Sequence, residues 1–324
     1  MTIEQILKVG IEGAIKADPR GPAGVVRHMT RVKKRYEKMS PKEREYFDPE
    51  RLTNPYPDST IHVLNGKNKI KRVLAGIDIT SSEILLASQL EERDKPIDLV
   101  ISHHPAGRAI ANLHEVMDLA VDVYENLGMP VHMAEKITEE RMRDVSRGTH
   151  RVNQYQVVDV ARLLEVNFMT THTLTDNLVN DFIKTYLEKK KPATVEELMD
   201  VLLELPEYHQ AKKMAIGPKI LSGSPNHRIG KFFVDMTGGT NPAARVYEEL
   251  SNYGISTIVG MHMPDDSVQK ATERQLNVII AGHMPSDSLG MNLFLDQLEK
   301  QGVEIVPCGG LIRVSRNNKT SKKK

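Results

Sequence analysis

The chain has 324 residues, 40% of them hydrophobic and 27% charged, with a formal net charge of +1. That length suits two compact units or one elaborated α/β unit, and the near-neutral charge gives no general reason to expect nucleic acid or a membrane as partner. The single cysteine, Cys308, excludes an internal disulfide framework and a thiolate zinc cluster, and fits a reducing, cytoplasmic compartment.

The opening stretch MTIEQILKVGIEGAIKADPR mixes acids into its apolar positions and lacks the zones of a signal peptide, so no export signal is expected. Thr2 followed by Gln5 reads as a capping box, and residues 1–60 read as an accessory helical extension. Within it RVKKRYEKMSPKEREYF interleaves acids with bases, the pattern of a solvated helix face rather than a nucleic-acid patch. DPERLTNPYPDS, with its prolines and polar neighbours, marks a linker or loop. Nowhere does an apolar run reach the ~18 residues of a membrane span.

A first lobe is expected over residues 61–176. IKRVLAGIDI predicts a strand, TSS a turn and helix cap, EILLASQLEER a helix, and IDLVIS a second strand that ends at His103 and His104. QVVDVARLLEV then predicts a helix before FMTTHTLTDN. Residues 177–230 form a mainly helical intervening segment, in which Thr194 with Glu197 as capping-box partner opens the helix TVEELMDVLLEL, with no catalytic pattern. Over residues 231–314 a second lobe repeats the order: IGKFFVDM, TGGTNP, AARVYEELSNYG and ISTIVGMHMP give strand, turn, helix and strand, a weak internal duplication. SVQKATERQL adds a helix, NVIIAGHMPSD a buried strand ending in a histidine, and VEIVPCGGLIRV closes the fold. Residues 315–324 read as a disordered basic tail. The whole predicts an α/β protein of two related lobes with mostly parallel sheets, in which ligands gather beyond the carboxyl ends of strands.

Three motifs at strand ends or in loops share one chemistry: His103 with His104, His172-x-x-x-Asp176, and His283-x-x-x-Asp287. Imidazole and carboxylate together suit first-row metals such as Zn, Fe, Mn, Ni or Co, whereas calcium wants oxygens. On a regular strand His103 and His104 would point to opposite faces, but past its end, with Pro105 favouring extended geometry, each ring is free to serve a different ion. Too many ligands are present for one catalytic zinc, so two cations sharing a bridging carboxylate, Asp287 or Asp176, is the natural arrangement. The competing reading is that the prolines are strand stops and the histidines are satisfied by backbone hydrogen bonds. His262 occupies the repeat position of the double histidine and reads as a strand-end residue. Ser102 and Ser286 have no base partner and read as capping groups. The glycines of TGGT, Gly238 and Gly239, offer N–H groups to a phosphate or simply make a tight turn.

SHHP, then HTxxD, then TGGT, then AGHxxxD, in this order, resembles the Nif-three-like dinuclear-metal family, also known as type 2 homologues of GTP cyclohydrolase I. The resemblance runs from about residue 60 to 314. It implies that His103, His104, Asp176, His283 and Asp287 bind two divalent metals between two related α/β lobes, in a ring-shaped homohexamer with sites facing an interior cavity. One position departs from the family pattern: Asp287 stands where glutamate is usual, drawing the carboxylate back by one methylene.

Three functions follow as expectations. The first is a hydrolase in which metal-activated water attacks a small molecule, nucleotide-like or pterin-like and with phosphate as a candidate group, while His172 moves a proton. The second is a metal-handling or cofactor-assembly protein without turnover. The third is an oligomeric regulatory scaffold.

Overall fold

Among the residues described by the computed structural model, 1–66 and 69–317, nine strands form two sheets. In chain order they are β1 (Ile61–Val63), β2 (Arg72–Gly76), β3 (Leu99–Ser102), β4 (Phe168–Thr170), β5 (Lys219–Ser222), β6 (Phe232–Asp235), β7 (Thr257–Gly260), β8 (Asn277–Ile280) and β9 (Glu304–Cys308). The first sheet runs β1-β4-β3-β2-β9 and the second β5-β8-β7-β6. In each, one edge strand, β1 or β5, is antiparallel and every other pairing is parallel. The fold is thus α/β with two mostly parallel sheets, and the expected duplication has a structural counterpart: β1 to β4 correspond in order and direction to β5 to β8.

The central strands are buried along their length, β3 on all four residues and β7 likewise, as a parallel sheet covered on both faces demands. Register levels their ends. Gly76 pairs with Ser102 and Ser102 with Thr170, while Asp235 pairs with Gly260 and Gly260 with Ile280. Each sheet therefore offers a flush carboxyl edge from which the next residues emerge side by side.

Local signals act as the sequence suggests. Gln5 N donates to Thr2 Oγ1 at 3.2 Å, and Thr80 caps the helix Ser81–Glu92 with Glu83 completing the box. Thr194 accepts from Glu197 N, but the Glu197 carboxylate turns to Ala193 N at 2.7 Å, so that box is only half closed. The helix Ile3–Ala17 is less accessory than its charge suggests. Ile3, Ile6, Leu7, Gly10 and Ala14 make one buried stripe at helical spacing, and its apolar members share a core with Val73, Leu99, Leu174 and Phe294.

Two long helices, His172–Lys190 and His283–Lys300, continue directly from β4 and β8 and pack against each other. Gly290 makes their crossing possible: a Cβ there would lie 2.3 Å from the carbonyl oxygen of Thr175. Residues 315–317, at the head of the expected tail, are held in place by Ser315 Oγ donating to Glu299, Arg316 pairing with Glu207 at 2.8 Å and Asn317 Nδ2 donating to Asp296 O at 2.8 Å. Residues 318–324 of that tail lie outside the described residues. Among the described residues no helix is long and apolar enough to cross a membrane.

Candidate metal centre

The two flush edges face a common cavity of about 40 Å³, whose lining includes His103, His172, Asp176, His262, His283 and Asp287. The double histidine follows β3 at once: β3 ends at Ser102, and His103 N and His104 N donate to Gly76 O and Ile77 O at 2.9 and 3.0 Å. Their rings splay, centroids 5.1 Å apart and planes at 49°.

The other two motifs are not on strand ends or loops, as the sequence suggested, but form the first turns of the two long helices. At i,i+4 spacing each histidine then stands over its own aspartate on one helix face. The strand predicted over NVIIAGHMPSD stops at Ile280 for a local reason. Gly282 has φ 109°, a left-handed conformation, and a Cβ there would meet Ile216 O at 2.8 Å and Pro285 Cγ at 2.9 Å, so the chain turns sharply into the helix that begins at His283.

Asp287 lies at the middle. Its Oδ1 is 3.6 Å from His103 Nε2, while its Oδ2 is 3.5 Å from His104 Nε2 and 3.3 Å from His283 Nε2. Asp176 Oδ1 is 3.6 Å from His103 Nε2, and its Oδ2 is 3.9 Å from His172 Nε2. These separations are long for hydrogen bonds, and both oxygens of Asp287 and Oδ1 of Asp176 are buried with no hydrogen-bond partner among the described residues. Two donors each about 2.0–2.1 Å from one tetrahedral ion would lie about 3.3–3.4 Å apart, close to the spacing found. His103, His172 and Asp176, and again His103, His104 and Asp287, bring ligand atoms close enough to hold a metal ion. The donor set fits a first-row divalent cation, and the orphaned carboxylate oxygens are what such a cation would satisfy.

The far nitrogen of three of the rings is anchored. His104 Nδ1 is 2.6 Å from Asp78 Oδ1, His103 Nδ1 2.8 Å from Thr175 Oγ1, and His172 Nδ1 2.8 Å from Asp58 Oδ2, which also accepts from Thr173 Oγ1 at 2.6 Å. Such outer partners fix tautomer and ring orientation and leave each Nε2 lone pair facing inward.

Electrostatics describe a cluster that needs positive charge. Burial, with Asp287 and Asp58 near, pushes Asp176 up to about 8 in spite of His172. Burial works against a charged His172, yet Asp176 and Asp58 raise it to about 9. Burial holds His103 well below its ordinary value, and it also opposes the Asp287 carboxylate, which the surrounding histidines nevertheless keep below the usual range. A divalent cation would take the place of the shared protons.

His103, His104, His172, Asp176, His283 and Asp287 are thus brought together. His262 lines the cavity with its ring centroid 4.5 Å from that of His283, and burial, reinforced by His283, lowers it to about 4. Of the two glycines, Gly239 lines the cavity; Gly238 packs toward Leu119, where an added Cβ would come within 3.2 Å of its side chain, and is absent from the cavity lining. Ser102 and Ser286 donate to backbone carbonyls, His104 O at 2.8 Å and Gly282 O at 2.6 Å. Sequence reasoning missed Asp58, inside the stretch read as a linker, and Asp78, inside the stretch read as a strand. It also missed Asp235, which ends β6 in the cavity wall and accepts from Tyr247 OH at 2.8 Å. Only the position of Asp235 at a strand end marked it.

No family model matches the chain, and no curated protein matches it. Among solved structures it is similar to a NIF3 superfamily protein from Sphaerobacter thermophilus, with 25% identity over 96% of this chain and 99% of that one and a TM-score of 0.73. Reduced HcgD from Methanocaldococcus jannaschii matches at 15% identity over 82% of this chain and 94% of that one, with a TM-score of 0.49. The first likeness spans both sheets and both long helices, and it coincides with the motif order that brings the histidines and aspartates together; on these grounds the chain belongs to the Nif3-like superfamily.

Proposed function

We propose that the protein binds two divalent cations on either side of Asp287 and uses them to hydrolyse a small molecule. His103, Asp176 and His172 would hold one ion, His104 and His283 the other, and Asp287 both. The observation that carries this reading is the Asp287 carboxylate, buried, without a hydrogen-bond partner, and directing one oxygen toward His103 and the other toward His104 and His283. The shorter aspartate in place of the family's usual glutamate still reaches both sides. Bound divalent ions would supply Lewis acidity toward a substrate oxygen and bring the pKa of a water toward neutrality. His172, its Nδ1 fixed by Asp58, would hold or move a proton at Nε2. A nucleotide-like or pterin-like substrate, a hexameric assembly and a cytoplasmic home are finer parts of this proposal, resting on the family resemblance and, for the last, on the lone cysteine.

A second reading, metal handling without turnover, is favoured by the small cavity, which at about 40 Å³ leaves little room beside the cluster for a substrate. Elemental analysis with an activity screen over nucleotides, pterins and phosphoesters separates the two. The hydrolase reading expects about two equivalents of metal per chain and turnover that falls at least a hundredfold in Asp287→Asn together with loss of metal. Full metal content with no turnover on any substrate supports the second reading, and unchanged metal content in Asp287→Asn overturns the ligand assignment.

A further inference from the structure

We propose that a second cavity, between the helix Gly21–Lys38 and the segment around His114, binds a small dianion that carries an apolar group, of which a phosphate monoester is the type. It lies apart from the histidine and aspartate cluster and has a volume of about 360 Å³, within the range of small-molecule sites.

The basic run of the first sixty residues supplies its charge. Arg31 and Arg35, at i,i+4 on one face of Gly21–Lys38, line the cavity with His28, and Arg51 joins them from the following 3-10 turn Pro49–Leu52. Lys33 and Lys34, on the same helix, are exposed and outside the lining, while Arg31 and Arg35, exposed as well, border the cavity from its rim, so the solvated-face reading holds for the helix and one edge of that face adjoins the cavity.

Two acids share the cavity and leave some of this charge unused. Glu115 pairs with Arg51. Asp118 stands 3.4 Å from His28 Nδ1 and 3.6 Å from Arg31, whose guanidinium is also 3.6 Å from Asp122. Arg35 has no carboxylate within ion-pair range among the described residues. His114 also lines the cavity, although its buried Nδ1 is closed off from it. Guanidinium forks converging on one space suit phosphate oxygens. Val32, Phe47 and Met142 form the rest of the wall and suit an apolar body attached to the anion.

The test is calorimetric titration of the full-length protein, as purified, with phenyl phosphate, inorganic phosphate and a short single-stranded oligoribonucleotide. Saturable binding of phenyl phosphate at one per chain is expected, with inorganic phosphate about tenfold weaker. Loss of one charge-assisted hydrogen bond is worth about tenfold or more in Kd, so Arg35→Ala should weaken phenyl phosphate by at least that factor, while Lys33→Ala and His103→Ala leave it unchanged. Arg35 is exposed, so its variant is expected to fold, and thermal melts verify this. No saturable binding at millimolar concentration overturns the proposal. So does binding abolished by His103→Ala but not by Arg35→Ala, which would put the anion at the cation centre. Equal affinity for the two phosphates, or an oligoribonucleotide that phenyl phosphate cannot displace, also overturns it.

Discussion

Asp78 and Asp58 show how much of the centre depends on side chains that would never touch a cation. His104 has its Nδ1 2.6 Å from Asp78 Oδ1, and the Asp78 side chain is 61% exposed, so it can be altered without opening the core. Asp78→Asn keeps the shape but weakens the acceptor that orients the ring. Outer partners of this kind are worth ten- to hundredfold in metal affinity, so the variant should fold normally and lose about that much affinity for zinc or manganese, measured by competition with a chromophoric chelator. An unchanged affinity would show that the His104 ring is held by packing alone. Neither Asp58 nor Asp78 was legible in the sequence, because an outer-shell carboxylate sits at no fixed spacing from its histidine; His172 and Asp58 are 114 residues apart.

The two long helices set the spacing of the centre. Each starts with a histidine and an aspartate one turn apart, and their axes meet where Gly290 lies against Thr175. Gly290→Ala would place a methyl carbon 2.3 Å from the Thr175 carbonyl oxygen, which the backbone cannot accept without the helices parting. Overpacking of this sort costs about 1–3 kcal/mol. The expected outcome is a lowered melting temperature together with weakened metal binding, since Thr175 also anchors His103 at 2.8 Å; a melt lowered with metal binding intact would mean that the crossing does not govern the ligands. The sequence showed the alternation of strands and helices and the order of the three motifs, because parallel strands here are short apolar runs bounded by turn residues. It did not show that HxxxD opens a helix. An apolar strand that runs on into Ala281 and Gly282 carries no mark of its end until the positive φ of Gly282 is seen. The helix Ile3–Ala17 was likewise underestimated, since acids between its apolar positions concealed a stripe that fits the main core.

At the scale of the molecule, the cluster couples stability to pH. Folded His172 and Asp176 hold protons more tightly than the unfolded chain does, with values raised to about 9 and about 8. At pH 7 the unfolded chain has released most of these protons and the folded chain still holds them, giving them up only as the pH passes about 8 and about 9. Folding therefore takes up protons in this window, and the metal-free protein must lose stability as pH rises. His103 and Asp287, both lowered, titrate below the window and do not oppose the trend. Calorimetry on chelator-treated protein should show a melting temperature that falls from pH 7 to pH 9, and saturating zinc or manganese should remove the fall by replacing the protons. A flat metal-free profile would mean that the cluster carries no such protons.

The last strand adds a consequence of connectivity. β9 returns to the first sheet beside β2 after the chain has built the second sheet, so everything from β5 to β8 is strung between two anchor points on its neighbour. A segment moored at both ends has less conformational freedom to part from the histidines after β3 than one tethered at a single end. The helix that carries Asp287 lies between β8 and the second mooring at β9, which keeps that carboxylate near the histidines of the first sheet.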